Sequence, residues 1–450
     1  MSTTTNSPAV SAGSPTKDPR RAALRGGILG YYADQFDIFV PIITLAPAMI
    51  YFEPADTSRT TAALITAAVF AATLLARPLG SAVFGHYADR VGRRITTMVA
   101  VAGFGVSTFL IGLLPGHQHM GWWAIVALIG LRFVGGIFLG GEYATAVPLA
   151  MEWSPARRRG LASGLITCTS PLAVASIAGL SLLLLSVMPP DGLHSAYVQW
   201  GWRIPFFIGG LLGIVLFFYY RRNVEEAPAF EAAQTTGSPL RELLGGRHRR
   251  ALAQVFTLMT GAWLLTNIAA AVLPATLKSD VGLTDRAVSI VLLISSVVCV
   301  GSFVGCAVLS QRIGRRRFYT GFGIVAAVFA SACYALLTTL DANDLVLVTL
   351  LSVGVQISTI SLYGPVAAYL TERFPAAIRA TGYGVGYSLA LVIPAFYAFY
   401  ISGLATIVGN ALAPVVLIAL GGALVAVGGA LGPETKDVDM TAHTTPDTVS

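Results

Sequence analysis

Along the chain, apolar residues come in runs of about 20, and polar residues collect in short clusters between them. A helix rises about 1.5 Å per residue, so about 20 apolar residues match the ~30 Å hydrocarbon core of a bilayer. Such runs lie near residues 25–50, 60–84, 95–115, 121–150, 160–187 and 203–220, and again near 251–277, 287–309, 318–339, 344–370, 380–402 and 410–432. Residues 222–250 form the only long polar break between spans. The pattern predicts an all-α integral membrane protein of 12 transmembrane helices, divided six plus six. It also predicts an organisation. A cytosolic tail over 1–21, rich in Ser, Thr, Pro and Ala, reads as disordered. A six-helix bundle over 22–221, a cytosolic loop over 222–250, a second bundle over 251–433 and a cytosolic tail over 434–450 follow.

Composition favours lipid over water as the solvent. Hydrophobic residues make up 55% of the chain and charged residues 11%. A soluble domain carries roughly 25% charge, so this chain could not coat a water-facing surface. A net charge of +7 would suggest a nucleic-acid partner in a soluble protein. Here the basic residues occupy alternate loops, as the positive-inside rule requires, and no such partner is expected. With a cytosolic N-terminus, inner segments hold 23 of the 29 lysines and arginines. The outer side keeps Arg59, Arg203, Lys278 and Arg286, and Arg77 and Arg132 fall within spans. Both termini are therefore expected inside, in a plasma or inner membrane. The four cysteines all lie in apolar stretches and read as buried thiols. The six histidines form neither a metal set nor a catalytic one, so no metal, no cofactor and no enzyme activity are expected.

Internal repetition supports the division into halves. Asp89-Arg-Val-Gly-Arg-Arg94 returns 222 residues later as Gln311-Arg-Ile-Gly-Arg-Arg316. Glu152-Trp-Ser-Pro155-Ala156, with Arg159, returns 220 residues later as Glu372-Arg-Phe-Pro375-Ala376, with Arg379. Two matches at nearly one offset, each in an inner loop, describe parallel repeats of a six-helix unit, which place binding between the halves near mid-membrane. Asp89 could accept hydrogen bonds at a helix start or pair with a nearby arginine, holding one state of a gate. Simple anchoring by Arg90, Arg93 and Arg94 is the alternative. Glu152 and Glu372, at matching helix ends, read as gating latches.

Each charge inside a span costs roughly 2.5–3.5 kcal/mol on insertion scales, so interior ionisable residues are informative. Asp34 and Asp37, spaced i,i+3, share one face of the first span, and Arg132 in the fourth is the available cation. Asp37–Arg132 could be a proton or substrate switch, or a permanent interhelical ion pair, or Asp34 could sit at the interface exposed to water. Glu142 could join this network or gate the inner side. Arg77, near the inner end of the second span, reads more as anchor than as ligand. Tyr31, Tyr32, Gln35, Trp263, Asn267, Gln356, Tyr363 and Tyr387 are candidates to line the cavity, against packing or lipid contact. Glycine spacings such as Gly136-xxx-Gly140, Gly209-xxx-Gly213 and Gly382-xxx-Gly386 suit close helix approach.

Several stretches together resemble the major facilitator superfamily, and within it the metabolite:proton symporter family, a relative of the sugar porters. Arg77-Pro-Leu-Gly80 leads into Gly85-His-Tyr-Ala-Asp89 and the Arg90, Gly92, Arg93, Arg94 run. Arg132-Phe-Val-Gly-Gly-Ile-Phe-Leu-Gly-Gly-Glu142, Pro155-Ala-Arg-Arg-Arg159 and Trp200-Gly-Trp-Arg-Ile-Pro-Phe206 follow. Arg312, Gly314 and Arg315 carry the second loop motif; Gly364-Pro365 through Glu372 to Arg379 and Pro433-Glu-Thr-Lys436 complete the set. Two positions depart from the family: Asp34 stands where Glu is usual, and Gln311 replaces an acidic residue. The resemblance implies two pseudo-symmetric six-helix bundles and proton-coupled uptake of a small polar metabolite, an organic acid or zwitterion. The proton gradient would supply the energy and a monomer would act alone. A proton-driven efflux antiporter and a non-transporting membrane sensor are the alternatives.

Overall fold

The computed structural model describes residues 18–54, 57–227, 229–230 and 237–440. Among them are 12 helices long and apolar enough to cross a membrane. We number them α1 (Pro19–Tyr51), α2 (Leu64–Val91), α3 (Arg93–Leu113), α4 (Trp123–Glu152), α5 (Ala156–Val187) and α6 (Tyr197–Asn223). The second half holds α7 (Arg249–Ser279), α8 (Arg286–Ile313), α9 (Arg315–Leu337), α10 (Ala342–Arg373), α11 (Ala376–Val408) and α12 (Ala413–Leu431). Side chains such as Leu75, Val106, Val297 and Phe399 are exposed around the outside. An apolar surface of that extent belongs in lipid. The protein is a multi-pass, all-helical membrane protein.

The expected tail over 1–21 ends three residues early. Pro19 occupies the first helical turn and the Asp18 carboxylate accepts from the Arg20 amide, so local capping starts α1 there. Residues 1–17 lie outside the described residues, as do 441–450. The central loop 222–250 contains a short helix, Pro239–Gly245, whose Leu243 is fully buried.

In the N-terminal half, α1 packs on α4, α5 and α6, and α2 and α3 pack on α4; in the other, α12 packs on α7 and α9. The halves meet where α5 lies along α8, and where α2 and α4 touch α11. The inner part of α11, from Ala376 to Leu389, makes that contact; its outer part, Tyr397–Val408, has no buried residue. The halves are therefore sealed toward the face that carries the termini and part on the α2–α11 side toward the other.

Discontinuities fall beside the polar positions. α1 passes into π and 3-10 turns at Pro41–Tyr51, just beyond Asp37. The pseudo-equivalent α7 has a π turn at Ile268–Val272, just beyond Asn267. α10 tightens at Ser361–Tyr363 and α11 breaks before Pro394. Such breaks expose backbone only where it lines protein or a cavity.

The α2–α4 crossing is a glycine seam. A Cβ on Gly140 would stand 2.3 Å from the Arg77 carbonyl oxygen, and one on Gly136 would stand 2.4 Å from that of Thr73. Gly140→Ala must push two backbones apart, at the roughly 1–3 kcal/mol typical of overpacking. We expect a lowered melting temperature in detergent, while Gly130→Ala, which meets open space, leaves it unchanged.

Candidate substrate and gating site

In the N-terminal half lies a buried centre of three carboxyls and two arginines: Asp34, Asp37, Glu142, Arg77 and Arg132, each at most 2% exposed. Asp34 and Asp37 project from one face of α1 as their spacing requires. Their partners differ. Arg132 Nη1 lies 2.9 Å from Asp37 Oδ2, and Thr108 of α3 donates to the other oxygen of that carboxylate. Arg77 Nη2 lies 3.2 Å from Asp34 Oδ2, and Gln35 Nε2 donates to the same oxygen at 2.9 Å. Ser170 of α5 in turn donates to Gln35 Oε1 at 2.7 Å.

The Arg77 assignment needs correction. It is not an anchor or part of the loop gate. It stands 12 residues before Asp89, about 18 Å along α2, and its guanidinium turns inward to the Asp34 carboxylate. The unsatisfied groups of this centre are equally specific. Asp34 Oδ1, Arg132 Nε and Nη2, and both oxygens of Glu142 have no hydrogen-bond partner among the described residues. Buried polar groups are ordinarily bonded, so these are places where a solute, water or proton can be accommodated.

An aromatic wall adjoins the charges. Tyr143, beside Glu142, stacks on Tyr387 at 4.1 Å and on Tyr383 at 4.9 Å, so the wall is built across the halves. Tyr31 lies 5.7 Å from Tyr143, and the Arg77 guanidinium stands 5.8 Å from the same ring. Trp263 continues the wall, 5.1 Å from Tyr387 and 5.7 Å from Tyr363. Three candidates are placed differently. Asn267 donates to the Pro394 carbonyl at 2.7 Å and so ties α7 to the α11 break. Tyr32 packs on Phe36 instead of on the wall. Gln356 is buried on α10, with none of the charged centre's hydrogen bonds running to it.

At the terminal face a second network joins the halves. Asp89 accepts from the Ala380 amide at 3.0 Å, the Thr381 amide at 2.9 Å and the Thr381 hydroxyl at 2.8 Å, at the first turn of the helix opening with Arg379. Gly85 lets the backbones approach, since a Cβ there would stand 2.8 Å from Thr381 Cα. Glu152 pairs with Arg93 of its own half at 3.2 Å and with Arg379 of the other at 2.7 Å. Glu372 repeats the arrangement with Arg315 at 3.1 Å and Arg159 at 3.9 Å. Gln311, at the Asp89-equivalent position, accepts one amide across the interface, from Gly160 at 2.9 Å. One neutral oxygen thus stands where the other side has a carboxylate with three donors. Arg90 and Arg94 tie this loop to the end of α6 and the central loop: Arg90 donates to Gly237 O, and Arg94 to Arg221 O. Arg312 is exposed. Gly92 and Gly314, at φ 115° and 100°, form the sharp turns that both loops need.

Some residues escaped the sequence reading. Glu226 accepts from the Arg94 amide at 2.9 Å, and Glu434 accepts from the Arg315 amide at 2.8 Å, so each caps the helix that opens after a loop motif. Burial raises the Glu226 carboxyl above its usual range, opposed by the amides of Arg94 and Ala227. The only signal was their place after the sixth and twelfth spans. Ser81, donating to Gly140 O at 3.1 Å and lying 2.8 Å from Ser388 Oγ, links the halves. Gly384 closes on Ala144 there, whereas Gly382 and Gly386 face Phe374 and Val255 of their own half.

The profile of the Major Facilitator Superfamily matches residues 28–398. The chain is 31% identical to the inner membrane metabolite transport protein YhjE of Escherichia coli, covering 85% of this chain and 87% of that one. It is also 31% identical to the Escherichia coli shikimate transporter, over 83% and 85%, and to the Klebsiella pneumoniae citrate-proton symporter, over 81% and 80%. Among solved structures, the proton:xylose symporter XylE with bound 6-bromo-6-deoxy-D-glucose superposes with a TM-score of 0.73. It is 17% identical, covering 96% of this chain and 99% of that one.

Proposed function

The chain belongs to the Major Facilitator Superfamily as a transporter of the metabolite/proton symporter kind, and we propose that it imports a small carboxylate-bearing metabolite, an organic acid or zwitterion, together with protons. The observation that carries this reading is the charge balance of the buried centre. Asp34 and Asp37 balance Arg77 and Arg132, so the site is neutral only while the third carboxyl, Glu142, is protonated. A substrate anion would leave an unbalanced negative charge in a place with little water, so the reading has at least one proton enter with it. The substrate's carboxylate is suited to Arg77, whose one ion-pair partner among the described residues is Asp34, and its remainder to the wall formed by Tyr143, Tyr387 and Trp263. One chain supplies both sides of the site, in keeping with a monomer. With cytosolic termini, the sealed terminal face makes this the outward-facing state, and the Asp89 and Glu152 contacts are the inner gate that breaks when the halves rock.

The relatives' names put shikimate and citrate first on a panel of acids, followed by betaines. In vesicles with an imposed inward proton gradient, at least one panel member is expected to accumulate, and a protonophore to abolish the accumulation. Each proton gains about 2.3 kcal/mol per 100 mV, roughly 50-fold in concentration. Accumulation that ignores the gradient would sink the reading. Asp37→Asn is expected to abolish gradient-driven accumulation while exchange stays measurable; unchanged accumulation would remove Asp37 from the proton path.

A further inference from the structure

We propose that Glu142 carries the transported proton and releases it along a narrow seam on α1, past the Tyr220 hydroxyl, toward the terminal face. The proposal rests on the symport reading above and assigns the proton its own route, separate from the substrate's.

Glu142 is fully buried, and neither carboxyl oxygen has a hydrogen-bond partner among the described residues. Arg77 is the nearby cation, and its bond goes to Asp34. One guanidinium cannot neutralise two carboxylates, and a buried carboxylate without a partner is far costlier than the neutral acid. Glu142 therefore holds a proton in this state.

The route follows from the first helix. Gly26, Gly30 and Asp34 are spaced i,i+4 and share one face of α1. A Cβ on Gly30 would stand 2.3 Å from Glu142 Oε1, and one on Gly26 would stand 3.1 Å from the Tyr220 oxygen. The two glycines thus form a furrow that admits a carboxyl and a hydroxyl about one helical turn apart. Tyr220 is itself fully buried, and its hydroxyl has no hydrogen-bond partner among the described residues. One turn further toward the terminal face, Tyr219 of α6 donates to the Ala22 carbonyl at 3.1 Å. Asp34 from α1, Arg77 from α2, Tyr220 from α6 and Tyr383 from α11 face Glu142. Arg77 is the cation among them. When Arg77 turns from Asp34 to Glu142, the Glu142 proton passes through a bridging water to the Tyr220 oxygen. That hydroxyl passes its own proton on, through water, toward the terminal side. Glu142 is left as the anion paired with Arg77, and Asp34, released from Arg77, takes the next proton from the opposite face.

The full chain in lipid vesicles, without solute, is examined by infrared difference spectroscopy. A protonated-carboxyl band is expected, to be lost in Glu142→Gln, and its deuterium exchange should slow at least about 10-fold in the near-isosteric Tyr220→Phe. In the acid and betaine panel, Glu142→Gln should lose gradient-driven accumulation by at least about 30-fold while exchange of the same solute remains measurable. A band unchanged in Glu142→Gln, or full accumulation by that variant, overturns the proposal. Exchange at the wild-type rate in Tyr220→Phe overturns the route. If the wild type accumulates nothing, the symport reading fails by itself, while the infrared result still decides whether Glu142 holds a proton.

Discussion

Arg77→Ala is expected to abolish transport of every solute the protein carries and to weaken the fold at the same time. Arg77 is 2% exposed, and its guanidinium neutralises Asp34, which is 0% exposed. Removing one partner of a buried ion pair costs about 3–5 kcal/mol, because the remaining charge is stranded. Asp34 Oδ1 is already unpartnered, so its carboxylate would keep only Gln35. The two effects separate in the double variant Arg77→Met/Asp34→Asn. With no charge left to strand, its melting temperature should return close to wild type, because replacing both members of a buried pair is often neutral. Transport should stay absent, since the carboxylate has lost its guanidinium. Recovery of both together would make the pair a structural strut, and Arg77 would leave the substrate site.

Asp89→Asn is expected to shift the protein from the closed terminal face toward an open one. The carboxylate holds the start of α11 through two amides and a hydroxyl, and Arg93 Nη2 lies 3.3 Å from it. A hydrogen bond to a charged group contributes about 1.5–3 kcal/mol against about 0.5–1.5 for a neutral one. Converting three such bonds therefore costs a few kcal/mol, a shift of at least about 10-fold in the ratio of the two states. A cysteine placed at Ser163, whose hydroxyl donates to Gly364 O across the interface at 2.6 Å, would report the change by its rate of alkylation from the terminal side. A rate unchanged by Asp89→Asn would reduce this network to anchoring of the loops.

Much of this architecture is legible in the sequence, because lipid imposes a simple rule. Apolar runs of about 20 residues must be helices, and a repeat at one offset must be two like bundles. The Asp37–Arg132 pair was legible for the same reason, since interior charges are few and seek each other. Arg77 was misread because its spacing from Asp89 reflects chain neighbourhood, while its partner Asp34 lies 43 residues away on another helix. The capping role of Glu226 was invisible because it is a tertiary contact: its carboxylate reaches a helix opened 132 residues earlier. Asn267 shows the converse. An amide in a span suggested a solute ligand, yet the break before Pro394 leaves a carbonyl that this amide satisfies. The start of α1 was missed for a local reason, a capping aspartate followed by proline at the edge of a polar tail.

Coupling of solute to protons is read from proton movement itself. Wild-type protein is reconstituted in vesicles with no imposed gradient, an acid from the panel that it carries is added outside, and external pH is followed. The medium should become alkaline as protons enter with the solute, in proportion to solute uptake, and should not do so with Glu142→Gln. External acidification would identify an exchanger that moves protons against its solute, and uptake with no pH change would show that the buried carboxyls do not couple transport to protons.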